Sequence, residues 1–311
     1  MSARKQISRV YVPCAVSSFF EICDLNPDGS KIEDELRIGA RGGGFVISRG
    51  NTTTASRERA HDVILINGKK TDQAKTSLKV LELLRKDYSI PPIKISHQIE
   101  PPIGSGFGTS GSGAIGVAAA VSDLVGLSMT LREIGDYAHR AEIQSTTGLG
   151  TVISLVSGSG AIGLVTEPGS FSFGRVDSIL NNYKDYTLIC VCYGPIEKST
   201  VLSKEERRKK VNKFGNEALR SILAEKTPES LLSHSRIFAE KTGIASPELL
   251  KLADQARKFG AVGATQNMIG NAVHCLVKKK DRARFLASLS KIVGKKYIFE
   301  SSLYQGGPEI L

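Results

Sequence analysis

The chain reads as a two-domain α+β protein, and three observations predict that class. Its 311 residues exceed what one ordinary core accommodates and suit two domains of usual size. Strand signals gather in the first third, and helical periodicity follows them. After a polar connector at Arg175–Asp185 the same mixture of helices and strands returns, which divides the chain into residues 1–180 and 181–311.

The elements follow in order. Ser8–Pro13 and Phe19–Cys23 favour strands, Asn26-Pro27-Asp28-Gly29 is turn chemistry, and the first fifty residues read as extended. Val63–Ile66 is a buried strand closed by the hairpin signal Asn67-Gly68. Leu78, Val80, Leu81 and Leu84 place an apolar stripe on a helix over Asp72–Arg85. Ile93–Glu100 alternates as a strand. Helices follow at Gly113–Leu124 and Thr130–Ile143, the second opened by a capping box of Thr130 with Glu133. A short helix starts near Thr151, Ala161–Thr166 is a strand stopped by Pro168-Gly169, and Thr187–Tyr193 is a buried strand. Helices at Ser203–Ala224, Glu229–Lys241 and Pro247–Phe259 precede strand Ala272–Val277, helix Asp281–Ile292 and strand Tyr297–Ser301.

Forty-two Lys and Arg against 31 Asp and Glu give a formal charge of +11, which suits nucleic acid, a membrane surface or small anionic substrates. The basic runs Arg207-Arg208-Lys209-Lys210 and Lys278-Lys279-Lys280 are short and lack interleaved aromatics, and Trp is absent. They read as solvated faces, so no nucleic-acid partner is expected. Five cysteines are an odd number for a secreted framework, and Cys190-x-Cys192 is too tight for common zinc knuckles, so reduced core thiols are expected. No apolar signal segment follows Met1-Ser2-Ala3-Arg4-Lys5, and the longest apolar run, Ala114–Val121, cannot span a bilayer. The expectation is a cytoplasmic protein with no membrane partner, a homodimer being left open.

One segment carries the chemistry. Pro102, Gly104, Ser105, Gly106, Phe107, Gly108, Thr109, Ser110, Gly111 and Ser112 form a glycine-rich, hydroxyl-studded loop that runs into an alanine-rich helix. Glycines let backbone N–H groups approach an anion, and a helix start offers unsatisfied donors with the positive end of its dipole. A P-loop is excluded because no lysine occurs between Lys94 and Lys184, and a dinucleotide fingerprint is excluded by the spacing Gly104-x-Gly106-x-Gly108. The loop reads as a phosphate cradle.

Pro102–Ser110 resembles the second motif of the GHMP kinases, Pro-x-x-x-Gly-Leu-Gly-Ser-Ser, with Phe107 for Leu and Thr109 for the first Ser. A narrower resemblance, to the archaeal pantoate-kinase-like branch, rests on Pro13-Cys14-Ala15-Val16-Ser17-Ser18-Phe19-Phe20, Gly39-Ala40-Arg41-Gly42-Gly43-Gly44 and Thr147-Gly148-Leu149-Gly150-Thr151. The resemblance implies an N-terminal domain like ribosomal S5 domain 2, a ferredoxin-like C-terminal domain, ATP as phosphoryl donor, and Mg2+ shared by Ser110 and Glu142. It further implies phosphorylation of an alcohol on a small anionic hydroxy acid, with Ser17 and Arg41 on the acceptor side.

Three positions depart from the branch. Ala15 stands where it has histidine, Thr151 where it has an aspartate that orients or deprotonates the acceptor, and Val165 about where it has arginine. Thr151 can orient a hydroxyl but cannot act as a base at neutral pH. The departures favour mevalonate 3-phosphate as acceptor, with pantoate as the alternative and a non-catalytic ligand sensor as the reading of another class. Arg49, Arg140, Arg175 and Lys198 are further cations near no assigned partner in the sequence, and His139 lies one turn before Glu142.

Overall fold

The computed structural model describes residues 5–196 and 205–311. Lys198 and the first residues of the helix expected from Ser203 therefore lie outside the described residues, as does most of Met1–Lys5.

The first sheet is built on two long strands, β1 (Ile7–Cys23) and β2 (Gly39–Arg57), paired antiparallel along their length with register shifts at Val12/Cys14 and Ser17/Phe19. Such shifts bend a strand and raise its twist. Bending lets β2 serve two partners: Asn51–Arg57 pairs with β5 (Ile93–Ile99), while Gly42–Phe45 pairs with β6 (Ile162–Glu167). β3 (Val63–Ile66) lies parallel to β5 and turns through Asn67 and Gly68, both at positive φ, into β4 (Lys69–Lys70), as the hairpin signal expects. β7 (Arg175–Ser178) extends the sheet beyond β6.

One face of this sheet is covered by α1 (Lys75–Asp87), α2 (Thr109–Val125), α3 (Leu131–Ser145) and α4 (Thr151–Ser157). α2 is buried nearly all round, which its Ala- and Gly-rich sequence permits by keeping neighbours close. α3 begins with the expected capping box: Thr130 accepts from the Glu133 backbone N–H, and the Glu133 carboxylate accepts from the Thr130 N–H.

The second sheet is a four-stranded antiparallel layer of β8 (Tyr186–Gly194), β9 (Gly263–Gln266), β10 (Asn271–Lys278) and β11 (Ile298–Ser302), in the order β11-β8-β10-β9. Numbered from one, that order is 4-1-3-2, with helices after its first and third strands. This is the ferredoxin-like βαββαβ arrangement. Its helices are α5 (Glu205–Ala224), α6 (Pro228–Thr242), α7 (Pro247–Lys258) and α8 (Arg282–Leu289). β12 (Glu309–Ile310) then returns to the first sheet and pairs with β1. The larger hydrophobic core joins Phe19, Phe45 and Phe107 of the first half to Leu188, Val191 and Phe238 of the second, so the two halves share an interior. All five cysteines are free thiols.

Candidate functional site

The glycine loop ends at Gly108, which caps α2 in the left-handed region (φ 62°, ψ 27°). A Cβ at Gly108 would stand 2.5 Å from Thr151 Cγ2, so only glycine brings the loop this close to the start of α4. The backbone N–H groups of the first turn of α2 have no intrahelical acceptor by geometry, and they open toward a cavity of about 610 Å³ that Gly106, Gly108 and Ser110 line. Ser17 and Arg41 line it too, as do Thr151, Ala15 and Val165.

Glu142 is carried into this site by α3. Only 2% exposed, its carboxylate accepts the Ser110 hydroxyl at 2.8 Å. Two residues 32 apart in sequence thus meet at the N-terminus of α2. The pair is a hard-oxygen donor set, and cis ligands of an octahedral Mg2+ stand about 2.9 Å apart, so the two oxygens fit such an ion. No group of three or more His, Cys, Asp or Glu side chains is placed to hold a metal ion among the described residues. Any cation here would therefore draw its other ligands from substrate phosphates and water, as Mg2+ in nucleotide sites does.

The remaining loop residues divide by what they touch. Phe107 is buried against Phe299 (ring centroids 5.0 Å apart), and its carbonyl accepts from the Ala15 N–H, so its side chain anchors the loop from behind. The Ser112 hydroxyl turns inward to the Thr109 carbonyl and lies near Cys14 Sγ. Gly111 packs against Glu142, and Gly104 lies against Pro195. Pro102 and Ser105 line a separate cleft on the far side of the loop, with Tyr193 and Tyr297.

Arg41 does not stand free. Directly opposite Glu21 in the β1–β2 register, its Nε and Nη2 both donate to Glu21 Oε2, at 2.9 and 2.6 Å. A second ion pair, Arg208 with Asp24, joins the same wall. Arg208 was expected on a solvated face; α5 instead brings it to the cavity, a contact across 184 residues for which the sequence carries no local signal. Arg49 pairs with Glu100, Arg175 pairs with Glu167, and neither lines the cavity. His139 faces away from it: its Nε2 donates to the Ile38 and Glu35 carbonyls at 2.9 and 3.2 Å. Burial holds its pKa below the usual histidine range.

Three comparisons bear on this geometry. Residues 75–159 match the GHMP kinases N terminal domain. A pantoate kinase of Thermococcus kodakarensis is 29% identical over 289 residues, covering 91% of either chain. One from Methanocaldococcus jannaschii is 28% identical over 272 residues, covering 87% of this chain and 93% of its own. A solved structure described as a phosphotransferase related to the CoA biosynthesis pathway superposes with a TM-score of 0.85 at 26% identity, covering 98% of both chains.

Proposed function

Because the chain belongs to the GHMP kinase family and is an ATP-dependent phosphotransferase acting on an alcohol, we propose that its acceptor is pantoate. The observation that carries this acceptor is the match to pantoate kinases along about nine-tenths of the chain, against which the mevalonate 3-phosphate reading gives way. The cavity supports it. Val16, Phe19, Phe45 and Val165 supply apolar surface for the gem-dimethyl carbon of pantoate, and Arg41 and Arg208 lie in the same wall for its carboxylate.

In this reading the first-turn N–H groups of α2 and the backbone of Gly106–Gly108 bind the ATP phosphates. Ser110 and Glu142 would hold Mg2+, which when bound neutralises charge on the phosphates. Thr151, at the start of α4 and against Gly108, orients the attacking hydroxyl of the acceptor. Phosphoryl transfer passes through a loose transition state in which positioning and electrostatics dominate, so a site without a general base forgoes about 10²–10⁴-fold and still turns over. The division at residue 180 belongs to this proposal, the first part holding the nucleotide and the second closing the acceptor wall through Arg208. A cytoplasmic location belongs to it as well; no described helix is long and apolar enough to cross a membrane.

A second reading keeps mevalonate 3-phosphate as acceptor. It is favoured by the presence of Ala15, Thr151 and Val165 on the cavity wall, where the pantoate-kinase branch carries histidine, aspartate and arginine. ADP release measured with pantoate, mevalonate 3-phosphate, mevalonate and homoserine, under identical ATP and Mg2+, separates the two. The highest kcat/KM is expected for pantoate; a higher value for mevalonate 3-phosphate would reverse the assignment.

A further inference from the structure

A buried polar chain runs beneath the glycine loop and joins both halves of the molecule. His274 of β10 is fully buried, with Nδ1 3.0 Å from Asn267 Oδ1 and Nε2 2.8 Å from Ser18 Oγ. Asn267 donates in turn from Nδ2 to the Ser105 carbonyl at 3.0 Å. Ser18, His274, Asn267 and Ser105 are each at most 1% exposed.

The proton positions follow from donor and acceptor chemistry. The Ser105 carbonyl can only accept, so the Asn267 amide presents its NH2 there and its oxygen to the ring. That oxygen also can only accept, so His274 carries its proton on Nδ1. A neutral ring then has a lone pair on Nε2, to which the Ser18 hydroxyl donates. Burial drives the His274 pKa down to about 3, which agrees with a ring held neutral.

Neighbouring contacts tighten the assembly. The Met268 N–H donates to the Ser17 carbonyl at 2.9 Å, and Ser17 lines the cavity. A Cβ at Gly270 would lie 2.4 Å from the Ser105 carbonyl carbon, and one at Gly106 would lie 2.8 Å from Asn267 Cβ. The turn 267–270 therefore grips the glycine loop on one side and the Ser17–Ser18 stretch of β1 on the other.

We propose that His274 is a positioning residue: by locking the Asn267 amide it fixes the Ser105 carbonyl, and so holds the glycine loop in register with the acceptor wall at Ser17. The inference rests on the reading of that loop as the ATP phosphate cradle and is independent of which acceptor is used. Without the ring, the Asn267 amide is free to flip and set its oxygen against the Ser105 carbonyl, displacing the loop. A misplacement of about 1 Å costs on the order of 10²-fold in rate.

The test uses three variants of the full chain, assayed well below the melting temperature of each. His274→Phe keeps the edge contact with Phe45 (centroids 5.7 Å apart) but removes both hydrogen bonds. His274→Asn retains an N–H in the place of Nδ1–H and so retains the lock on Asn267; Gly108→Val disables the loop directly. Binding of a fluorescent ADP analogue is measured beside kcat and the KM for ATP. His274→Phe is expected to weaken ADP binding and lower kcat/KM for ATP at least about tenfold, with His274→Asn recovering most of both. A purely structural role would lower the melting temperature in both His274 variants and leave these constants alone.

Normal ADP binding in His274→Phe with binding lost in Gly108→Val would overturn the positioning role and leave the cradle standing. Normal binding in both would remove the cradle and the proposal together. If His274→Phe does not fold, Asn267→Ala replaces it, since the same defect is required when the amide itself is gone; unimpaired ADP binding there overturns the inference.

Discussion

Replacing Gly148 by alanine is the sharpest probe of the carboxylate at the start of α2. Gly148 lies in the turn between α3 and α4, outside the left-handed region, so alanine brings no backbone strain. Its Cβ, however, would stand 2.5 Å from Glu142 Oε2, 2.6 Å from Oε1 and 2.7 Å from the carboxyl carbon. Ordinary contact begins near 3.5 Å, so the carboxylate must retreat by about 1 Å. Glu142 is 2% exposed and backed by Gly111, which leaves it no solvent to retreat into. Its hydrogen bond from Ser110 is then broken or bent, and displacement on this scale predicts about a 10²-fold loss in kcat. The assay is ADP release at saturating ATP and pantoate across a Mg2+ titration, with a thermal melt to show that the fold survives. Gly113→Ala is the matched control: its Cβ meets His97 Cε1 at 3.6 Å, an ordinary contact inside a helix. It should leave kcat unchanged and stabilise α2 by up to about 1 kcal/mol. Turnover in Gly148→Ala as fast as in the parent, at the same Mg2+ concentration, would refute the role given to Glu142.

Glu142→Gln keeps the size and removes the charge, so it should lower kcat and raise the Mg2+ concentration needed for half-maximal rate; an unchanged Mg2+ curve counts against a metal at this site. Arg208→Ala should raise the KM for the acceptor while leaving that for ATP unchanged, because Arg208 lies on the wall shared with Asp24 rather than at the glycine loop; a KM effect on ATP alone would move Arg208 out of the acceptor site. Arg41→Ala should also raise the acceptor KM, by less than the tenfold or more expected of an unpaired desolvated cation, since Glu21 already holds two of its nitrogens. Acid should destabilise the fold through His97 and His274, whose pKa values burial lowers to about 4 and about 3. Both rings are neutral when folded and bind protons on unfolding below about pH 6.5, so their contribution is complete above that pH and each gives up about 2 kcal/mol by pH 5. Melting temperatures that stay level from pH 7 to 5 would contradict this.

The local signals in the sequence that were legible are those whose physics is local. The Thr130/Glu133 box opens α3, and Asn67-Gly68 turns the β3–β4 hairpin, because caps and tight turns are decided within four residues. α2 starts at Thr109 rather than the expected Gly113, since Gly108 in the left-handed conformation completes the turn early. The first fifty residues read as extended, yet nothing in the sequence marks where β2 begins: Gly39–Gly44 offers almost no alternating side chains, and its place is fixed by pairing with β1 and β6. Ser110 and Glu142 could be paired from motif position, whereas Asp24–Arg208 and Ser105–Asn267 join residues more than 160 apart. No periodicity or spacing encodes such contacts; they exist only once the second sheet has docked.

The return of β12 to β1 makes the first half discontinuous along the chain. Val10 and Tyr11 of β1 pair with Ile310 and Glu309, and Leu303 bridges to Ile47 of β2, so part of the outer rim of β1 is covered by a strand some 300 residues further along. A fragment ending near residue 180 would expose that rim as unpaired backbone, a template for pairing between copies. Such a fragment is expected to aggregate rather than to behave as a free-standing nucleotide-binding unit. During synthesis, too, the first sheet keeps an open edge at Val10 and Tyr11 until residues 309–310 have emerged, which places the burden of solubility on the nascent state rather than on the folded one.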